Sequence, residues 1–160
     1  MKPKVYLETS FPSYLTSRAS RDVTVAGRQQ DTHDWWNVHR VKFDVLTSDL
    51  VVLEAGAGDP AAASDRLKML KTIAVLNTTR EAIAMAKTLL DSDAVPQKAS
   101  DDALHIAIAA TNGIDYLLTW NCRHIANAVL RSKIDDVCRS LGYRPVVICT
   151  PTELMGIQTP

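Results

Sequence analysis

Short apolar runs recur along the chain at Val5 to Leu7, Val45 to Thr47, Ile73 to Leu76, Tyr116 to Thr119 and Val146 to Cys149. Runs of this length, rich in β-branched and aromatic residues, predict strands. Between them lie longer stretches in which apolar and polar positions alternate with a helical period. Strands that alternate with helices predict an α/β fold with a mostly parallel sheet of about five strands, covered on both faces in an α/β/α sandwich.

Local signals place several helix boundaries. The segment Asp22 to Val41 reads as helical, and Ser48 is the expected N-cap of a helix carrying Glu54. At Asp59-Pro60 a cap residue precedes proline at the first helical position, which starts a helix through about Lys71. Thr78-Thr79-Arg80-Glu81 and Thr150-Pro151-Thr152-Glu153 have the spacing of a capping box. Asp101 is the expected cap of a helix that Asp102 opens, and Gly113 and Gly142 supply the left-handed residue that closes the helices before them.

Composition changes this picture little. A chain of 160 residues, 46% hydrophobic and 22% charged, supports one core and so one domain over residues 1–160. A formal net charge of zero gives no global attraction to a polyanion, so any nucleic acid must be held locally. Three cysteines with no Cys-x-x-Cys pair argue against a disulfide framework or a zinc ribbon and suit the reducing cytoplasm. The sequence shows neither a signal-peptide pattern nor a run of membrane-spanning length, so no membrane role is expected.

Candidate chemistry changes it more. Glu8 follows the first strand, Glu54 lies in the helix after the second, Asp102 opens an almost wholly apolar helix, and Asn121 follows the fourth strand. In a parallel sheet, functional groups gather outside the carboxyl ends of the strands. Three carboxylates brought together repel unless a cation joins them, and oxygen ligands favour Mg²⁺ or Mn²⁺. A cation so held can polarise a phosphoryl oxygen and acidify water, which points to phosphodiester hydrolysis.

Other readings compete. Glu8 and Glu54 also suit solvated carboxylates, and Asp102 suits a first-turn acid favoured by the helix dipole. Asp101 competes with Asp102 as the ligand. His105, Cys122 and His124 lack the four-ligand spacing of structural zinc, and His105 reads as a satisfied core histidine. Arg123 and His124 suit either substrate phosphate or a solvated helix start. Trp35 and Trp36 read as core or interface, with Arg18, Arg21 and Arg40 as phosphate contacts at the cleft rim.

The order of four motifs resembles the PIN-domain ribonucleases, and within them the VapC-like toxins of type II toxin-antitoxin modules, over nearly the whole chain. The motifs are Leu7-Glu8-Thr9-Ser10, Ser48 to Glu54, Asp102-Ala103-Leu104-His105-Ile106-Ala107 and Leu117-Leu118-Thr119-Trp120-Asn121. The resemblance implies a PIN-like three-layer fold and a Mg²⁺- or Mn²⁺-dependent endoribonuclease. It implies Glu8, Glu54 and Asp102 as metal ligands or ligand-positioning acids, with Ser10 as the supporting hydroxyl. It also implies a small antitoxin partner and a homodimer, the latter supported by the aromatic surface of Trp35 and Trp36.

Two positions depart from the family pattern. Glu8 stands where Asp is usual, and its extra methylene moves the carboxylate outward in a way that near-ideal Mg²⁺ geometry would feel. Asn121 stands where Asp is frequent, and a neutral amide can bind a cation or orient water but cannot act as a base. These departures give the alternative of a catalytically weak or inactive scaffold that binds RNA or a protein. A receiver-type phosphoacceptor domain is disfavoured, because it expects paired acids at the first strand and a lysine beyond the last.

Overall fold

A computed structural model describes residues 1–156. Five strands form one all-parallel sheet: β1 (Lys4–Leu7), β2 (Asp44–Ser48), β3 (Ala74–Leu76), β4 (Tyr116–Leu118) and β5 (Val147–Cys149), in the spatial order β3-β2-β1-β4-β5. β1 is central, with Val5 in register with Val45 of β2 on one side and with Tyr116 of β4 on the other. The chain steps outward from β1 to β3 in one direction, crosses back to β4, and finishes in the opposite direction. Right-handed crossovers then place the connecting helices on opposite faces. Packing follows this division: α1 (Ser10–Thr16) meets α2 (Val23–Asp34) and α4 (Pro60–Leu70), α3 (Asp49–Ala55) meets α4, and α5 (Arg80–Asp91) meets α6 (Ser100–Thr111) and α7 (Ala128–Ser140). The expected three-layer parallel fold is the one observed.

The core explains the strand patterns. Val5, Tyr6 and Leu7 of β1 are fully buried, as expected for a central strand covered on both faces. In α6, Ala103, Ile106, Ala107, Ile108 and Ala109 are all inaccessible to solvent, so the helix is a rigid central element. Among the described residues, no helix is long and apolar enough to cross a membrane.

Several boundaries hold. Ser48 caps α3 by accepting the Val51 N–H at 3.2 Å, and Asp59 caps α4 by accepting the Ala62 N–H at 2.9 Å. Gly113 and Gly142 take φ values of +64° and +83° just beyond α6 and α7. Thr150 and Glu153 form the reciprocal capping pair, at 3.1 Å and 3.3 Å, but it opens only a short 3₁₀ turn, Glu153–Met155.

Other boundaries shift. The cap of α5 is Thr79, one residue later than the Thr78 box, because Thr78 is drawn away to Asp49 by bonds of 2.9 Å and 2.6 Å. Asp101 is not the cap of α6: the helix begins at Ser100, its cap position is Ala99, and Asp101 is an exposed first-turn acid. The helix expected through Val41 leaves α geometry at Trp35, where a π turn (Trp35–His39) and a 3₁₀ turn (Arg40–Lys42) replace it. There Trp35 is buried between Phe11, edge-on at 5.5 Å, and Phe43, stacked at 5.6 Å. Its surface is thus covered within the chain, and of the two tryptophans only Trp36 keeps surface open to solvent. α1 was not expected at all.

Candidate functional site

The sheet reverses its direction of winding between β1 and β4, and in such sheets the crevice outside the carboxyl ends at that point is where ligands bind. Glu8 leaves β1 at this end and is fixed there by its N–H donating to Leu118 O at 3.1 Å. Thr119, Trp120 and Asn121 leave β4 beside it. The short α3 brings Glu54 across from β2, and the first turn of α6 brings Asp102.

Each acid is held by protein donors. Glu8 is almost buried, and one carboxylate oxygen accepts from the Ser10 N–H at 2.9 Å, the Ser10 hydroxyl, and the Thr119 hydroxyl at 2.8 Å. Ser10 Oγ also accepts the Trp120 N–H at 2.8 Å, and Thr119 Oγ1 accepts the Asn121 N–H at 2.9 Å. The hydroxyls therefore tie the end of β1 to the end of β4. Ser10 lies where a hydroxyl can support Glu8.

Asp102 is held from the loop after β4. Asn121 Nδ2 donates to Oδ1 at 3.0 Å, and His124 Nδ1 lies 2.8 Å from Oδ2. Asn121 Oδ1 in turn accepts the His124 N–H at 3.1 Å, which fixes which way the amide points. The Asp102 side chain is 21% exposed and that of Glu54 29%, so both acids open to solvent.

Glu54 is held from the core. Its Oε1 accepts the Thr9 hydroxyl at 2.6 Å and lies 2.5 Å from His105 Nε2. Burial alone would raise the Glu54 carboxyl, but the hydrogen bond and charge of His105, with the Thr9 hydroxyl, hold it below its ordinary value. Burial alone would lower the His105 imidazole, yet the bond to Glu54 and the charges of Glu8, Glu54 and Asp102 lift it above its ordinary value. All three acids thus bear on one buried imidazole. Tyr6, whose OH lies 2.7 Å from His105 Nδ1, has its phenol pushed up, chiefly by burial.

The residues expected for the site therefore fall into two groups. Glu8, Ser10, Glu54, Asp102, Asn121 and His124 come to one end of the sheet. Arg18, Arg21, Arg40 and Arg123 are exposed, and the Arg40 guanidinium lies over the Trp36 ring at 4.1 Å. His105 is satisfied and buried as expected, but it is joined to Glu54, and Tyr6 stands behind it. Thr119 was not among the expected residues; its position two residues before Asn121 was the available signal.

Among the described residues, no three His, Cys, Asp or Glu side chains lie close enough together to hold a metal ion as they stand. The fit to a hard divalent cation is one of donor type: three carboxylates come to the same end of the sheet, and two of them are open to solvent. Cys122 is exposed and belongs to no such group, so the zinc reading gains nothing.

No family profile and no curated protein sequence matches the chain. Solved structures that share its fold include two toxin-antitoxin proteins. VapC20 of Mycobacterium tuberculosis, a sarcin-ricin loop cleaving toxin, is similar with a TM-score of 0.55 at 18% identity, over 74% of this chain and 91% of that one. VapBC2 of Rickettsia felis, bound to a DNA fragment from their promoter, is similar with a TM-score of 0.58 at 11% identity, over 92% of this chain and 98% of that one. At these identities the likeness establishes the fold, which is the one the sequence resemblance implied.

Proposed function

We propose that this chain is a metal-dependent endoribonuclease that cleaves RNA phosphodiester bonds by attack of an activated water. The reading makes it the toxin of a toxin-antitoxin pair, acting in the cytoplasm. The observation that carries it is the placement of Glu8, Glu54 and Asp102 around the β1/β4 switch point of a fold shared with a toxin that cleaves the sarcin-ricin loop. The likeness to VapBC2 supports a small antitoxin partner.

In this reading Glu8, Glu54 and Asp102 hold Mg²⁺ or Mn²⁺, which when bound supplies charge to the phosphate and lowers the pKa of water. The chain's own residues do the rest. Ser10 and Thr119 fix the Glu8 carboxylate by hydrogen bonds, leaving its second oxygen for the ligand. Asn121 and His124 fix the plane of Asp102. Asn121 is neutral, so it orients and does not take a proton. Arg123 is exposed just beyond Asn121, and Arg18 and Arg21 are exposed beyond α1; these are the proposed phosphate contacts, since nothing in the zero net charge would draw RNA from a distance. A homodimer joined through Trp36 with the exposed Val38 and Val41 belongs to the same reading.

A second reading is an inactive scaffold that binds RNA or a protein partner. It is favoured by the engagement of every acid with protein donors and by Glu8 in place of the usual Asp. Incubating the pure protein with total RNA and Mg²⁺, Mn²⁺ or chelator separates the two. Cleavage that chelator stops supports the nuclease, and intact RNA under all three conditions supports the scaffold.

A further inference from the structure

Beneath Glu54 runs a line of buried polar groups that RNA cleavage as described does not use. His105, on α6, is 1% exposed. Its Nε2 faces Glu54 Oε1 at 2.5 Å, and its Nδ1 faces the Tyr6 hydroxyl at 2.7 Å. Tyr6 OH lies 2.8 Å from Ser48 Oγ, which also accepts the Val51 N–H that opens α3. The line thus starts at the cap of α3, passes through the central strand β1 and the buried helix α6, and returns to α3 at Glu54. One end caps this short helix and the other lies on it.

Hydrogen-bond chemistry restricts what this line can do. A carboxylate only accepts, so the imidazole nitrogen facing Glu54 must carry a proton. In the neutral ring Nδ1 is then an acceptor, the Tyr6 O–H donates to it, and the Ser48 O–H donates to Tyr6. In the charged ring Nδ1 donates, and the Tyr6 hydroxyl turns to donate to Ser48. The two hydroxyls adapt, and the proton facing Glu54 stays in both states. A fully buried imidazole with both nitrogens occupied has no freedom to turn away.

We propose that Tyr6 and His105 are positioning residues that aim the Glu54 carboxylate into the cleft and hold it there for the ligand the site takes. The inference deepens the nuclease reading, on which it rests, by adding two residues that touch neither metal nor RNA. The arrangement is that of a metal-ligating group oriented by outer hydrogen bonds, whose removal typically costs about 10–100-fold in metal affinity.

The test has two arms on the full-length protein. In the first, Mn²⁺ affinity is measured by titration for the parent, Tyr6→Phe, His105→Gln and His105→Leu, each checked for folding by circular dichroism. The expected result is a loss of about tenfold or more in His105→Leu, a smaller loss in Tyr6→Phe, and partial rescue in His105→Gln, whose amide can still donate to Glu54. Folded variants that bind Mn²⁺ as tightly as the parent overturn the proposal. A parent that binds no Mn²⁺ removes the nuclease reading instead.

The second arm stands without metal. Nitrogen–proton correlation spectra of the apo protein should show a protonated, slowly exchanging Nε2 on His105 whose signal broadens or vanishes in Tyr6→Phe. An unprotonated Nε2 in the parent, or an unchanged signal in Tyr6→Phe, overturns the proposal whatever the metal does.

Discussion

Glu54 and Asp102 flank the same cleft, yet they are supported in opposite ways. Glu54 is gripped from within by His105, which Tyr6 backs in turn, on two of the most buried elements of the fold. Asp102 is gripped from the rim, by Asn121 and His124 in the segment after β4. Core support couples the acid to stability, because its partners cannot be re-satisfied by water when the acid is removed. Rim support leaves the acid free to change without disturbing the fold.

Loss of either acid should have the largest effect on function, and only one of them should have a cost to the fold. Asp102→Asn and Glu54→Gln are both expected to lower metal-supported RNA cleavage by about a hundredfold or more. Asp102→Asn should melt at the parent temperature or above it, since one repelling charge is gone. Glu54→Gln should melt lower, because His105 loses its anionic partner. Equal melting temperatures for the two variants would erase the contrast.

The supporting histidines sharpen it further. His105→Leu should cost about 2–3 kcal/mol in urea denaturation, as it leaves the Tyr6 hydroxyl with Ser48 alone and deprives the Glu54 carboxylate of its charged partner. His124→Ala should cost about 1 kcal/mol or less, because water can replace the ring at the rim.

A pH series addresses the core pair alone. Glu54 lies below its ordinary value of 4.5, so its contribution is present above pH 4.5 and is lost as pH falls through the lowered value. His105 lies above its ordinary 6.5, so its contribution is present below pH 6.5 and is lost as pH rises through the raised value. The gap in melting temperature between the parent and Glu54→Gln should therefore be widest between 4.5 and 6.5 and shrink on either side. A gap that does not vary with pH would mean the pair is not ionic.

The smallest expected effect is at Glu8. Its longer side chain should make Mn²⁺ outperform Mg²⁺, and Glu8→Asp should raise Mg²⁺-supported cleavage relative to Mn²⁺. Equal loss with both metals would show that the Ser10 and Thr119 hydroxyls are set for the longer acid.

Legibility in the sequence follows the range of the interaction. Ser48 and Asp59 were readable as caps because each acts on an N–H three residues away. The central strand β1 was readable because burial on both faces leaves an unbroken apolar run from Val5 to Leu7. α1 was not, since seven residues with Pro12 among them carry no helical period. The π turn at Trp35 was not, because Phe11 and Phe43 hold the ring there from separate elements. In the site, the acids could be placed by their positions after strands. Tyr6 and His105 meet across 99 residues of sequence, and nothing local to either marks the pairing.

The central place of β1 has a consequence for how the protein is made. The strand emerges first during synthesis, but its β4 partner follows more than a hundred residues later, as does the Thr119 hydroxyl that grips Glu8 across 111 positions. At about 5–20 residues per second, roughly 5–20 s separate the two events on the ribosome. Through that interval one flank of β1 has no strand to pair with and Glu8 lacks its grip from Thr119. A cell translating this chain therefore meets the assembled site only near the end of synthesis.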